Sequence, residues 1–257
     1  MFRLFRFVFK VWFIAQLMAV AFSAGMGAAY LMQLRALYRT WGLVAGGNER
    51  GVRGDGLVAE ADLIETRAID IDAAPDQVWP WLAQMGYGRG GWYSFGAFDR
   101  AWTPAGGPPS DSADTILDEF QDLAEGDLVP THPQGGFVAR TVEPAEALVL
   151  FLDDEMVREQ VDELVAEAAD AVEEQGGKAE MDFDMSSVPP YRVTLAFELE
   201  ELPGGRTRLI ERVRAGVDVS ENQKRARPAL AMGLFVFIKS QLEGIKERAE
   251  SAVVIDA

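Results

Sequence analysis

The stretch YRVTLAFELEELPGGRTRLIERVRAGVDV, Tyr191–Val219, decides the fold. Tyr191, Val193, Leu195, Phe197 and Leu199 alternate with Arg192, Thr194, Ala196 and Glu198. That period of two marks a strand with one apolar face. Pro203-Gly204-Gly205 supplies a turn, and Thr207–Val219 returns as the antiparallel partner. A three-residue loop sets Leu199 opposite Leu209 and Phe197 opposite Glu211, and Val213 and Val217 then join the apolar face. A slip of one residue would reverse every facing. In this register Arg208 meets Glu200 on the outer face, a favourable cross-strand pair. Glu211 points inward, a carboxylate in apolar company, where burial favours the neutral acid or demands a cation. The plainer reading of the same residue is a structural ion pair, or an outward Glu after a register change.

Upstream, short strands are expected near Asp127–Pro130, Gly136–Val142 and Ala147–Leu152, with a short helix over Thr115–Leu123. LIETRAIDI, Leu63–Ile71, reads as a first strand that stops at Asp72-Ala73-Ala74-Pro75. Pro75 suits a first helical turn and Asp76 its positive end. Val78, Trp81, Leu82 and Met85 follow at i, i+3, i+4, i+7 spacing. Pro80 removes a backbone donor, so this helix is short or kinked, and Gly86, Gly88, Gly90 and Gly91 end it. Downstream, a long helix is expected from about Gln223 to Ala252, with Leu230, Leu234, Phe237, Gln241 and Ile245 as one stripe. Its first half is apolar on all sides. The order of elements is that of an α+β domain, an antiparallel sheet beside a C-terminal helix.

At 257 residues the chain has room for one ordinary domain with an appendage. The appendage is legible at the front. Val11–Leu34 carries no charge and as a helix would span about 36 Å, enough to cross a hydrocarbon core of about 30 Å. Arg3, Arg6 and Lys10 flank it on one side, Arg35 and Arg39 on the other, with Trp12, Tyr30 and Tyr38 near the ends. A cleaved signal peptide ending near Ala21-Phe22-Ser23 is the rival, but the apolar run continues past it. Residues 1–39 are therefore read as a single-pass anchor in the cell membrane. The flanking charges are nearly balanced, and the soluble domain is placed outside the cytoplasm on a small margin. Residues 40–61, glycine-rich with mixed charges, read as a linker.

Composition excludes several functions. Lys and Arg number 24 against 41 Asp and Glu, a net charge of −17, which argues against nucleic acid as a partner. The absence of cysteine removes disulfides, zinc-thiolate sites and thiol nucleophiles. The acid is concentrated: Asp153–Ser187 holds thirteen Asp or Glu against Arg158 and Lys178. Val157, Val161, Leu164, Val165, Ala168 and Val172 lie along one face of a helix there, 155–175. Such a helix usually covers core; the functional alternative is a lid or a dock for a membrane-protein partner. No Ca²⁺-loop spacing is present, and no metal or cofactor is expected. His132 is the single histidine, and no motif fixes a partner for it. There is no G-x-S-x-G, and Gly86–Gly91 lacks the Lys-Ser/Thr of a phosphate loop.

The segments TRAIDIDAAPDQVWPWLAQMGYGRGGWYSF, EGDLVP, VARTVEPAEALVL, RTRLIERVRA and IKSQLEGIKERAE resemble the SRPBCC superfamily. That superfamily includes START lipid-transfer, pollen-allergen-like and polyketide cyclase/dehydrase domains. The likeness covers about Asp62–Ala252, with 153–187 as an acidic insertion. It implies a helix-grip fold, a seven-stranded antiparallel sheet wrapped around the last helix, with a cavity between them for an apolar molecule. It also makes the first and last strands neighbours, which brings Arg67 to Glu211. The Trp-rich helix would plug one end, and the glycine loop with Trp92, Tyr93 and Phe95 would form a mouth. Ligand-facing positions implied this way are Arg67, Trp81, Phe197, Glu211, Leu234, Phe237 and Gln241 inside, with Arg89, Trp92 and Tyr93 at the mouth. A solvated Arg89 and packed rings are the plainer alternative there.

Three functions follow as expectations. The first is a membrane-anchored module that binds a lipid or other hydrophobic small molecule without chemistry. The second is a cyclase/dehydrase-like enzyme with Glu211, Arg67 or Tyr93 moving protons. The third is an accessory subunit docking through the anchor and the acidic helix.

Overall fold

A computed structural model describes residues 41–43, 47, 49–94, 112–132, 135–160, 162, 190–217 and 227–255. The anchor 11–34, Phe95 and the acidic helix beyond 162 lie outside the described residues. The chain divides into two compact units, Met1–Trp41 and Gly42–Ala257, and the described elements belong to the second. Among the described residues no helix is long and apolar enough to cross a membrane.

Six antiparallel strands form one sheet: β1 (Leu63–Ile71), β2 (Leu128–His132), β3 (Gly135–Glu143), β4 (Ala147–Asp153), β5 (Tyr191–Leu202) and β6 (Arg206–Val217). Their spatial order is β1-β6-β5-β4-β3-β2. A helix, Pro75–Ala83, follows β1, and the C-terminal helix spans Arg227–Ile255. The domain is α+β, as expected, but the described sheet has one strand fewer than the resemblance implies. In the described chain between the Pro75 helix and β2, the one β-bridge is an isolated Gly86–Gly91 pair. The short helix expected over Thr115–Leu123 is only a 3₁₀ turn, Asp118–Phe120.

The β5–β6 register is the one read from the turn: Leu199 faces Leu209, Phe197 faces Glu211 and Glu200 faces Arg208. Gly204 and Gly205 in the turn have φ of 89° and 69°, the left-handed region that glycine enters without a Cβ penalty. The side-chain outcome differs at one pair. Arg208 turns to Asp70 of β1, with Nε–Oδ1 at 2.8 Å, and that bond holds the Asp70 carboxyl below its ordinary range. Glu200 is taken instead by Arg50.

Arg50 belongs to the stretch read as a linker, and there the structure departs most from expectation. Residues 50–60 lie on the outer face of the sheet. Val52 packs with Val149 and Ala196, all three buried. Arg53 reaches Glu143 at 2.8 Å and Glu146 at 3.0 Å, and its backbone N–H donates to Glu198. In return Arg212, 2% exposed, donates to Asp55 at 2.8 Å and to Thr66 Oγ1 at 2.9 Å. Arg214 binds the carbonyls of Val58 and Ala59. Thr194, Ala196 and Glu198 therefore point outward, as their alternation required, yet are buried. The outer face is covered, and each side of the contact supplies arginines to the other's acceptors.

The inner face carries the main core. The C-terminal helix packs on β1 and against the Pro75 helix, burying Ala231, Ile238, Leu242, Ile245 and Ala249. In its first half the buried positions are Ala231 and Ile238, whereas Leu234 and Phe237 of the expected row are only half-buried. An all-apolar half-helix has no polar side to fix its rotation, so periodicity could not choose between adjacent rows. Burial of each Leu, Ile or Phe here contributes about 1.5–3 kcal/mol. The Pro75 helix is short, nine residues, and buries Val78, Trp79, Trp81, Leu82 and Ala83.

Candidate functional site

Glu211 sits mid-strand in β6, between Arg67 of β1 and Phe197 of β5. Phe197 in turn faces Leu148 of β4, so one row across the inner face runs Arg67, Glu211, Phe197, Leu148. Arg67, Glu211, Phe197 and Leu148 are each 0% exposed. The neighbourhood expected for Arg67 and Glu211 is thus present in the sheet register, but the guanidinium is committed elsewhere. Arg67 Nη2 donates to Glu65 Oε2 at 2.7 Å, and Nη1 donates to the Thr66 carbonyl at 2.5 Å. Its plane lies 5.5 Å from the ring centroid of Phe235 on the C-terminal helix.

Neither carboxyl oxygen of Glu211 has a hydrogen-bond partner among the described residues. Burial pushes this carboxyl well above its ordinary pKa, and the Arg67 charge pulls it back only in part. The physical cause is plain. Of the two buried carboxyls beside Arg67 in β1 and β6, Glu65 is the one paired with its guanidinium, at 2.7 Å. Ionising the other would leave an excess charge in low dielectric. Burial therefore favours the neutral acid at Glu211, a form able to donate as well as accept.

The remaining candidates separate into two groups. Trp81 is 2% exposed, and its indole N–H has no acceptor among the described residues. Gln241 is buried, its Nε2 lies 3.6 Å from Met85 Sδ, and its Oε1 has no donor among the described residues. These two add unpaired polar atoms to the layer between the Pro75 helix and the C-terminal helix. Leu234 and Phe237 are half-buried, off the buried stripe.

Arg89 and Tyr93 have structural tasks. Arg89 Nη2 donates to the Ala83 carbonyl at 2.7 Å, and its guanidinium lies 4.8 Å from the Phe120 ring centroid. A cation on a last-turn carbonyl is a helix C-terminal cap. Tyr93, 2% exposed, meets Trp81 edge-on at 6.0 Å. Its hydroxyl accepts from Gln84 Nε2 at 3.0 Å, and burial raises its pKa. A Cβ on Gly244 would lie 2.2 Å from the Tyr93 carbonyl oxygen, so the C-terminal helix presses directly on this loop. Trp92 is half-buried against Phe137, ring centroids 6.3 Å apart. His132 ends β2 opposite Gly135.

Sequence reading missed the role of Glu65, which neutralises Arg67. Its place two residues before Arg67 on the same strand face was the available signal. Away from this row, a surface groove of about 800 Å³ lies between residues 56–62, the start of β5 and 153–158. None of the ten candidate residues lines it. Helical residues 154–160 open the acidic insertion, capped where Asp153 Oδ1 accepts from Met156 N at 2.9 Å. Among the described residues no cluster of acids or histidine could hold a metal ion.

No family model and no curated protein sequence matches the chain. Among solved structures, hypothetical protein jhp0584 from Helicobacter pylori aligns with a TM-score of 0.40 and 12% identity, covering 78% of this chain and 96% of that one. The Zhui aromatase/cyclase from Streptomyces sp. R1128 aligns with 0.36 and 12%, covering 74% and 95%. Protein MLL2253 from Mesorhizobium loti gives 0.32 and 16%, covering 73% and 98%. Similarities at this level bear on neither ligand nor reaction.

Proposed function

We propose that this domain binds a lipid or other hydrophobic small molecule between the inner face of the sheet and the C-terminal helix. Residues 11–34 would hold the domain at a membrane. One observation carries the reading: Glu211 is fully buried between Arg67 and Phe197, and both of its oxygens lack protein partners among the described residues. A buried polar group is normally satisfied, because leaving it unsatisfied costs about 1–3 kcal/mol. Ligand sites combine apolar walls with a few such placed groups. The test is native mass spectrometry of the full chain extracted in mild detergent. A retained small molecule, lost in Glu211→Leu, is expected; protein that is bare in repeated preparations overturns the reading.

Proton transfer in a cyclase/dehydrase-type reaction is the second reading. It is favoured by the same residue, because a carboxyl kept neutral by burial is a proton donor. Tyr93 drops out of that scheme, since its hydroxyl is held by Gln84 within the packed loop. Here Glu211→Gln would abolish turnover while leaving ligand retention intact, whereas a pure binding role leaves no turnover to lose.

A further inference from the structure

The chemistry around Glu211 also bears on what kind of head group it would meet. We infer that the molecule held at Glu211 is uncharged there and offers an oxygen that accepts a hydrogen bond, as an alcohol, ketone or ester does. This inference rests on the binding reading above and narrows its ligand class.

Three observations carry it. First, an anionic head would need a cation, and the inner row's cation is Arg67. That guanidinium is already engaged by Glu65 Oε2 at 2.7 Å, by the Thr66 carbonyl at 2.5 Å and by the face of Phe235. A fatty-acid-type carboxylate would have to displace Glu65, itself 4% exposed, and leave that acid buried without its partner. Second, a cationic head would need Glu211 ionised. Bringing an ammonium out of water to a fully buried carboxylate carries a desolvation penalty of several kcal/mol per ion, by general estimates. Third, three of the buried groups on this side of the sheet that lack hydrogen-bond partners are ones a neutral oxygen can answer. Glu211 as an acid donates through its hydroxyl, Trp81 Nε1 donates, and Gln241 Oε1 accepts, with no described partner for any of them. A hydroxyl or carbonyl answers such groups at no cost in charge burial. Next to Glu211 in the sheet stand Arg67 of β1 and Phe197 of β5, with Glu65 two positions along β1 on the same face and Glu201 at the far end of β5.

The test uses three probes with the same C18 chain and different heads: oleyl alcohol, oleate and oleylamine. Each is titrated at pH 7 into the detergent-solubilised full chain, with binding read by native mass spectrometry and tryptophan fluorescence. The alcohol is expected to bind at least tenfold more tightly than either charged probe. Glu211→Gln, which keeps an uncharged donor, should retain that order, and Glu211→Leu should erase it. Strongest binding by oleate would overturn the inference in favour of a ligand read by Arg67. Strongest binding by oleylamine would overturn it in favour of an ionised Glu211. Equal binding of all three would overturn it as well, while leaving the binding function standing. If folded protein, checked by near-ultraviolet circular dichroism, takes up none of them, the binding reading falls and this inference with it.

Discussion

Replacing Glu211 by Gln should make the protein less sensitive to rising pH. The side chain is 0% exposed, and its carboxyl is held well above the ordinary value of 4.5 by burial. Between that value and the folded-state pKa, the native state keeps a proton that the unfolded chain has released. Unfolding free energy then falls as pH rises, with a slope of about 1.4 kcal/mol per pH unit for one proton. The contribution is complete below the unfolded pKa and gone once pH has passed the folded one. Gln cannot titrate and is close to isosteric with the neutral acid, so it keeps the packing and removes the slope. The assay is urea unfolding of the full chain in detergent at pH 5, 6, 7 and 8, wild type beside Glu211→Gln. Taking the difference between the two cancels every other titrating group. The variant's stability relative to wild type should climb by about 1.4 kcal/mol per unit from pH 5 upward, levelling only at the folded pKa. Parallel curves across that range would refute the claim that Glu211 is buried as a neutral acid.

Other substitutions probe the frame around the site. Asp55→Ala removes the carboxylate that Arg212 bonds at 2.8 Å and leaves a 2%-exposed guanidinium under-satisfied; chemical denaturation should show a loss of about 2–4 kcal/mol. Glu200→Ala, at a pair whose side chains are 36% and 38% exposed, should cost less than about 1 kcal/mol in the same assay. Gly244→Ala would set a Cβ 2.2 Å from the Tyr93 carbonyl oxygen, and a drop of about 1–3 kcal/mol is expected, with a change in near-ultraviolet dichroism from Trp81 and Tyr93. A neutral result there would mean that the loop yields freely.

What could be read in the sequence, and what could not, follows from the range of the interactions involved. The β5–β6 hairpin was legible because its turn and its alternation are local, and a three-residue loop fixes every pair from Leu199–Leu209 to Phe197–Glu211. β1 was legible for the same reason, down to its ends at Leu63 and Ile71. The covering of the outer face was not. Residues 50–60 look like a linker because their glycines and charges are arranged with no period. Only in three dimensions does Arg50 find Glu198, 148 positions away, or Arg212 find Asp55 across 157. The choice of Asp70 over Glu200 by Arg208 has the same origin: alternation names the face, and competition among several acids on that face decides the partner. For Arg89 a ligand contact and a solvated turn both stayed open, because a lone Arg among glycines gives no sign that the Pro75 helix ends with carbonyls in reach.

Glu211, with both carboxyl oxygens unmet among the described residues, contrasts with other buried polar groups that the fold does satisfy. Glu198 is bound by Arg50 and Arg53. Thr207 donates to the Ala73 carbonyl, and Gln84 bonds Tyr93 and the backbone at Thr115 and Leu117. Asp154 accepts from Tyr191 N. A Leu at 211 would avoid the cost of burying a carboxyl and would pack as an apolar neighbour of Phe197. The retained acid lies in mid-sheet, beside a guanidinium already neutralised by Glu65, where no described protein group meets it. On the proposed reading, a molecule from outside the protein completes that arrangement.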